Sequence, residues 1–167
     1  AKGMSSHRAF GGGAVKAVLQ RVQRASVEVT GERCAQIEQG LMILLGVVPA
    51  DQVSEAEFLA QKCAQLRIFE DGQGKMNRSL LDVGGEALVV SQFTLCADCR
   101  HGRRPAFTGA ARSEHARPLY ERFVKRLAEC GVPVQTGRFG ADMQVSLQND
   151  GPVTIILDTE EMMPGRL

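Results

Sequence analysis

The feature that most constrains the fold is an unbroken apolar run over residues 41 to 48, ended by Pro49. A strand that faces water on one side alternates apolar and polar side chains, whereas a continuous run is typical of a strand buried on both faces. The run therefore predicts such a strand. Imperfect alternation over residues 15 to 29 and an apolar stretch over residues 86 to 95 predict two more strands.

Two helices are predicted by their start signals. Ser54 and Glu57 fit a capping box, in which each side chain satisfies a free amide at the helix start. Ser113 begins a second helix that runs to about Cys130 and stops at Gly131. Shorter strands are predicted at residues 34–38, 67–69, 132–135, 143–147 and 153–157, with turns at Gly31 and residues 71–74.

Composition narrows the class of protein. The 167 residues, 44% of them hydrophobic, suit one globular domain, and a net charge of +1 disfavours a generally basic nucleic-acid coat. No apolar run approaches the roughly 18 residues of a membrane span, so we expect a soluble, intracellular protein. Residues 1 to 13, which include three consecutive glycines, resemble a tag, a linker or a short extension.

Basic residues concentrate in one stretch. Residues 100 to 126 hold eight lysines and arginines against two glutamates, a local charge of +6. The stretch is a candidate surface for phosphate contacts, and a solvated helix face with its loop is the alternative.

Side chains that could carry out catalysis are few. Beyond the first 13 residues the only histidines are His101 and His115, and no Gly-x-Ser-x-Gly elbow is present. Thr94 is a possible nucleophile at the end of the strand over residues 86 to 95, where alternation predicts that it shares a face with Gln92. Cys96 and Cys99 have Cys-x-x-Cys spacing but lack a second pair, and five scattered cysteines do not suggest a disulfide framework.

A Gly-Pro step lies just before the last apolar run. Gly151 exposes its backbone and Pro152 fixes φ and makes a cis peptide bond accessible, so the step could aim main-chain carbonyls at a ligand. An ordinary turn before a strand is the alternative.

Two motifs together resemble a known family. Residues 91–95 read Ser-Gln-Phe-Thr-Leu and residues 149–154 read Asn-Asp-Gly-Pro-Val-Thr. A chain with both resembles the D-aminoacyl-tRNA deacylases, also called D-tyrosyl-tRNA deacylases. The resemblance extends from about residue 15 to residue 157 and includes the segments 19–22, 24–27, 44–47, 74–77, 104–107 and 136–145.

The resemblance implies an α/β fold, a three-layer sandwich of mixed, partly barrel-like β-sheets with helices packed on one side. One domain would span residues 14–159, followed by a tail over residues 160–167. It also implies a cytoplasmic homodimer whose active site lies at the subunit interface. The Gly151-Pro152 bond would be cis and would reach into the partner's pocket, where its carbonyls exclude L-aminoacyl groups, and Arg21 would brace the partner's loop.

The implied reaction is hydrolysis of the ester between a D-amino acid and the terminal adenosine of tRNA, with no metal or cofactor. Glycine wrongly attached to tRNA-Ala would also pass the filter. Backbone amides of Phe93 and Thr94, with the ribose 2′-hydroxyl, would carry the chemistry. The implied substrate-binding residues are Ser91, Gln92, Phe107, Phe139, Met143 and Asn149. A non-catalytic tRNA-binding module and a Cys-x-x-Cys redox or zinc protein are the alternatives.

Overall fold

The computed structural model describes residues 15 to 163. The predicted leader over residues 1–13 and the last four residues of the predicted tail lie outside this range, and the domain limits 14–159 stay a prediction. The elements are β1 Lys16–Val29, β2 Glu32–Ile37, β3 Gly40–Gly46, α1 Val53–Gln65, β4 Phe69–Glu70, β5 Met76–Arg78, β6 Glu86–Ser91, a 3₁₀ turn Phe93–Cys96, α2 Ser113–Glu129, β7 Val134–Thr136, β8 Gln144–Asp158 and α3 Thr159–Met162.

One mixed sheet organises the described chain. Its strand order is β2-β1-β3-β6-β7, and β8 pairs with β1 as well. The long β1 is antiparallel to β2, β3 and β8, whereas β3, β6 and β7 run parallel to one another. The short strands β4 and β5 form a separate hairpin. No helix within residues 15–163 is long and apolar enough to cross a membrane.

The central strands are buried on both faces, as the run over residues 41 to 48 predicts. Ile43 of β3 packs into a core shared with α1 and α2, whereas Met42 belongs to a second core that is formed by the other face of the sheet. In β6, Val89 and Leu88 divide between the same two cores. The helices therefore lie on one face of the sheet, and the sheet supplies the second core itself.

The predicted helix starts are slightly wrong. Helix α1 begins at Val53, and the carboxylate of Glu55 accepts the Gln52 amide at 2.8 Å, so Ser54 lies inside the helix rather than at its cap. Ser113 is the first residue of α2, without a capping side chain before it. The stop is confirmed at Gly131, which has a φ of +102°.

Two strand predictions need larger corrections. The strand predicted over residues 86 to 95 ends at Ser91, and a 3₁₀ turn replaces its last residues. The strands predicted at residues 143–147 and 153–157 are one strand, β8, because both halves pair with β1.

Candidate active site

A cavity of about 500 Å³ opens where the parallel strands β3 and β6 end. It is closed by the start of α2 and by the segment that joins β7 to β8. Five residues predicted for the site line it: Ser91, Gln92, Phe93, Phe139 and Met143. The strand ends thus bring together residues from two segments almost 50 positions apart in the chain.

The wall of the cavity is shaped by the end of β6. The last ladder pair is Leu45 with Ser91, and the Gln92 amide then donates to the Leu45 carbonyl at 2.8 Å. Because β3 ends at Gly46, the chain beyond Gln92 has no strand to pair with on that side and forms the 3₁₀ turn. In this turn the Leu95 amide donates to the Gln92 carbonyl. The predicted strand alternation of Gln92 and Thr94 therefore does not apply.

The turn leaves two consecutive amides without a partner. The first N–H groups of a helical turn have no acceptor inside it. Within residues 15–163, the amides of Phe93 and Thr94 donate to no other group. Phe93 lines the cavity and is 57% exposed. The arrangement can therefore present two adjacent N–H donors to a developing negative charge.

The Thr94 hydroxyl is held by its neighbour. The side-chain amide of Gln92 donates to Thr94 Oγ1 at 2.5 Å. Of the two histidines among residues 15–163, His115 has its Nε2 2.8 Å from the Asp51 carbonyl, and His101 is on an exposed loop. Within residues 15–163, Gln92 is the only group that hydrogen-bonds to the Thr94 hydroxyl, so no general base contacts it there.

Aromatic rings stand on both sides of the cavity. Phe107 packs edge-on against Phe93 with the ring centroids 5.2 Å apart. On the other side, Phe139 contacts the Tyr120 ring at 5.7 Å and lies under the Arg117 guanidinium at 5.8 Å. Burial raises the pKa of Tyr120 to about 12, and its hydroxyl donates to the Val89 carbonyl at 2.9 Å. Tyr120 thus anchors one wall from the core.

The Gly-Pro step forms a protrusion of β8. In the ladder with β1, Thr154 pairs with Gln20 and Asn149 pairs with Val22, so residues 150–153 all lie opposite Arg21. The Gly151-Pro152 bond is cis, as the resemblance implies, and both residues are exposed. Residues 150–153 form the predicted filter loop.

Arg21 holds the filter loop of its own chain. The side chain is 4% exposed, and Nε donates to the Asp150 carbonyl at 3.2 Å while Nη1 donates to the Ile68 carbonyl at 2.7 Å. The Asp150 carboxylate lies 3.5 Å from the same Nε. These bonds form within one chain across the bulged ladder, and the expectation that Arg21 braces the loop of a partner stays a prediction.

The filter loop and the cavity are separate within one chain. None of residues 149–154 lines the cavity. Asp150 and Gly151 instead border a recess of about 290 Å³ beside Arg21 and Arg78. Asn149, predicted to bind substrate, lies in the ladder opposite Val22.

Sequence reasoning missed part of the cavity lining. Arg112 and Ser113, at the start of α2, and Leu45 and Val47, at the end of β3, all contribute to it. The residues at the end of β3 could have been predicted, because the carboxyl ends of neighbouring parallel strands such as β3 and β6 meet at the same edge of a sheet. Asp142 is the one carboxylate among the described lining residues.

The cysteine pair has an unequal environment. Cys96 is buried, burial raises the pKa of its thiol, and its sulfur contacts the Val47 carbonyl at 3.7 Å, whereas Cys99 is exposed. Among residues 15–163, no group of three or more His, Cys, Asp or Glu side chains could hold a metal ion.

Comparison with known proteins gives a consistent result. A family model described as D-Tyr-tRNA(Tyr) deacylase matches residues 18–158. The D-aminoacyl-tRNA deacylase of Thermus aquaticus is 57% identical over 147 residues, covering 88% of this chain and 97% of that protein. The protein of the same name from Chloroflexus aurantiacus is 59% identical over 148 residues, covering 89% and 92%.

Solved structures agree on the fold. The structure titled c-Myc DNA Unwinding Element Binding Protein superimposes with a TM-score of 0.79 at 44% identity, covering 85% of this chain and 97% of that one. A probable eukaryotic D-amino acid tRNA deacylase gives 0.75 at 17% identity, covering 87% and 99%, which speaks for the fold alone. The predicted single α/β domain is confirmed.

Proposed function

The chain belongs to the D-Tyr-tRNA(Tyr) deacylase family, and on that premise we propose that it hydrolyses the ester bond of D-aminoacyl-tRNA, releasing the free D-amino acid and the tRNA. The observation that carries this proposal is the pair of unpartnered amides of Phe93, which lines the cavity, and of Thr94, the next residue in the turn. The place of action is the cytoplasm, and the edited partner is the aminoacylated 3′ end of tRNA.

The ester carbonyl enters the cavity and its oxygen faces the two amides. As water attacks the carbonyl carbon, the oxygen becomes negatively charged, and fixed N–H donors stabilise that charge without reorganising. The bond to the ribose 3′ oxygen then breaks, and the proton of the attacking water passes to that oxygen. The adjacent 2′-hydroxyl relays this proton, since Gln92, the only side chain within residues 15–163 that hydrogen-bonds to the Thr94 hydroxyl, is an amide and not a base.

Substrate binding falls to the surrounding side chains. Ser91 and Gln92 hold the adenosine at the end of β6, with Phe107 extending the wall through Phe93. Phe139 and Met143 form the opposite, apolar wall against which the acyl group or the adenine packs. No cofactor takes part in these steps.

The filter loop acts on the cavity of a second copy in a homodimer. Its two exposed residues, Gly151 and Pro152, do not line the cavity of their own chain, so a partner's cavity is where their carbonyls meet substrate. Exposed apolar side chains on the same strand favour such pairing: Val145, Leu147 and Ile156, the last 73% exposed. Asn149, at the base of the loop, contacts the substrate from the same side.

Chirality is then selected by exclusion. Carbonyls fixed on one side of the substrate Cα leave no room for an L side chain, whereas a D side chain points away. Glycine has no side chain to exclude, so glycine wrongly attached to tRNA-Ala is also a substrate.

The test is hydrolysis of D-Tyr-tRNA and L-Tyr-tRNA under identical conditions, with glycyl-tRNA-Ala as a third substrate. We expect rapid release of D-tyrosine and of glycine, and slow release of L-tyrosine. Equal rates for the two tyrosyl esters, or no hydrolysis of either, refute the proposal. Salt-dependent tRNA binding without turnover favours the non-catalytic binding module instead.

A further inference from the structure

The loop between the 3₁₀ turn and α2 stands out from the rim of the cavity. Two backbone hydrogen bonds close the loop. The Asp98 amide donates to the Ala106 carbonyl at 2.7 Å, and the Ala106 amide donates to the Asp98 carbonyl at 2.9 Å. Residues 99–105 form its tip, where Arg103 and Arg104 are exposed. They lie at most about 10 Å along the chain from the closed base, since an extended residue spans roughly 3.5 Å.

The loop is tied to the cavity at its returning limb. Phe107 packs against Phe93 of the cavity wall, and the Ala111 amide donates to the carbonyl of Val47, another lining residue, at 2.9 Å. Arg112, the next residue, lines the cavity itself. The arginines at the tip therefore extend a surface that begins at the cavity.

Ion pairs divide the basic stretch of residues 100 to 126 into two parts. Four arginines are paired: Arg100 with Asp98 at 2.7 Å, Arg117 with Glu121 at 3.1 Å, Arg122 with Glu57 at 2.5 Å and Arg126 with Glu129 at 3.3 Å. Three of these carboxylates, Asp98, Glu57 and Glu129, lie outside the stretch. When they are added to the two glutamates within it, the eight cations are opposed by five anions and the net charge falls from +6 to +3.

The unpaired cations concentrate near the cavity. Within the described chain, Arg103, Arg104 and Arg112 have no carboxylate within 4.0 Å. Lys125 is also unpaired, but it lies nine residues beyond Ala116, the last α2 residue at the cavity, a distance of about 13 Å along the helix axis. Near the cavity, the unpaired positive charge of this stretch is therefore on the loop and at its junction with α2 rather than along the helix.

We propose that Arg103 and Arg104, continued by Arg112 at the cavity rim, bind the phosphates of the tRNA acceptor end, and that the cations of α2 do not. The inference rests on the proposed function, because it takes the cavity as the site of the terminal adenosine. A guanidinium without a carboxylate partner can donate two parallel bonds to a phosphate, whereas a paired one must first give up its partner. Such contacts position the RNA without reading its sequence.

The experiment compares two double variants that remove the same charge. Arg103→Gln/Arg104→Gln changes the loop, and Lys125→Gln/Arg126→Gln is the matched control on α2. We measure the affinity of each variant for a fluorescent acceptor-stem RNA hairpin whose single-stranded CCA end carries no amino acid. The salt concentration is varied from 50 to 200 mM. Thermal unfolding checks that both variants fold.

We expect the loop variant to bind the hairpin roughly tenfold more weakly at low salt, and its slope of log affinity against log salt to fall by about 1.4 to 1.8, the value for two lost phosphate contacts. The control pair changes affinity less than twofold. Equal loss in both variants, or no loss in the loop variant, overturns the proposal.

A small ester separates this proposal from the proposed function. D-Tyrosyl-adenosine carries the ester but no acceptor phosphates, so the loop variant hydrolyses it within about twofold of the wild-type rate. A matching loss on this ester places the arginines in the ester site and overturns their assignment to phosphates. If the wild type cleaves neither D-tyrosyl-adenosine nor D-Tyr-tRNA, the proposed deacylase function is refuted. The hairpin-binding comparison of the two variants still tests the assignment of Arg103 and Arg104 to phosphates.

Discussion

Replacing Gly151 by alanine tests the filter loop with the smallest possible change. Gly151 has a φ of +114°, a conformation that L residues rarely adopt. A Cβ at this position would lie 2.6 Å from Nη2 of Arg21 and 3.1 Å from a methyl group of Val153. The variant therefore strains the backbone and displaces the side chain that holds the loop.

The cost can be estimated from these two effects. A non-glycine residue in such a backbone conformation costs about 1 to 3 kcal/mol. Arg21 is buried, so moving it weakens bonds to the Asp150 and Ile68 carbonyls, and a hydrogen bond to a charged group contributes about 1.5 to 3 kcal/mol. A total of about 3 kcal/mol, converted at 1.36 kcal/mol per tenfold, reduces the population of the native loop by about 100-fold.

The assay is the ratio of kcat/KM for D-Tyr-tRNA to that for L-Tyr-tRNA. We expect Gly151→Ala to lower the ratio by at least about tenfold. Gly31→Ala is the matched control, because Gly31 also has a positive φ, +80°, but an added Cβ there meets nothing within 4 Å. It should lose stability without losing discrimination. An unchanged ratio in a folded Gly151→Ala protein refutes the filter role of the loop.

Three further predictions concern residues around the cavity. Thr94→Ala keeps the single-turnover rate constant for hydrolysis of D-Tyr-tRNA within about tenfold of wild type, because the backbone amides remain. A loss of about 1000-fold would instead favour the Thr94 hydroxyl as the nucleophile. The pKa of Tyr120, raised to about 12 by burial, favours the neutral phenol in the folded state. The contribution of this pKa shift to the free energy of unfolding is therefore fully present below pH 10 and is lost as the pH rises through 12. Urea unfolding should show a smaller loss of stability over this interval in Tyr120→Phe than in the wild type. Replacing Cys96 and Cys99 by serine leaves D-Tyr-tRNA hydrolysis within about twofold; lost activity together with stoichiometric zinc in the wild type would contradict this.

The sequence predicted the strands that are specified by local pattern. The unbroken run over residues 41 to 48 could only be satisfied by two apolar surroundings, and Met42 and Ile43 do lie in two different cores. The alternation in residues 15 to 29 likewise became β1. In both, the side chains themselves carry the information about burial.

The prediction failed where pairing partners decide the structure. Nothing local ends β6 at Ser91; the strand stops because β3 ends at Gly46 and β7 reaches only Val89 on the other side. For the same reason, two predicted strands merge into β8, since β1 pairs with both halves. Register over more than 100 residues of separation is not visible in a local pattern, and the corrected turn is what leaves the amides of Phe93 and Thr94 free.

The site residues came from the family resemblance, and their division within the chain explains why a second copy is part of the proposal. Within residues 15–163, the filter loop does not line the cavity at the ends of β3 and β6 but borders a separate recess. A twofold dimer repeats every contact, so a loop that enters the partner's cavity is matched by the reverse contact and two complete sites result. In the proposed homodimer, dissociation therefore removes the filter from every cavity while leaving Phe93 and Thr94 in place, and chiral discrimination falls with dilution before hydrolysis does.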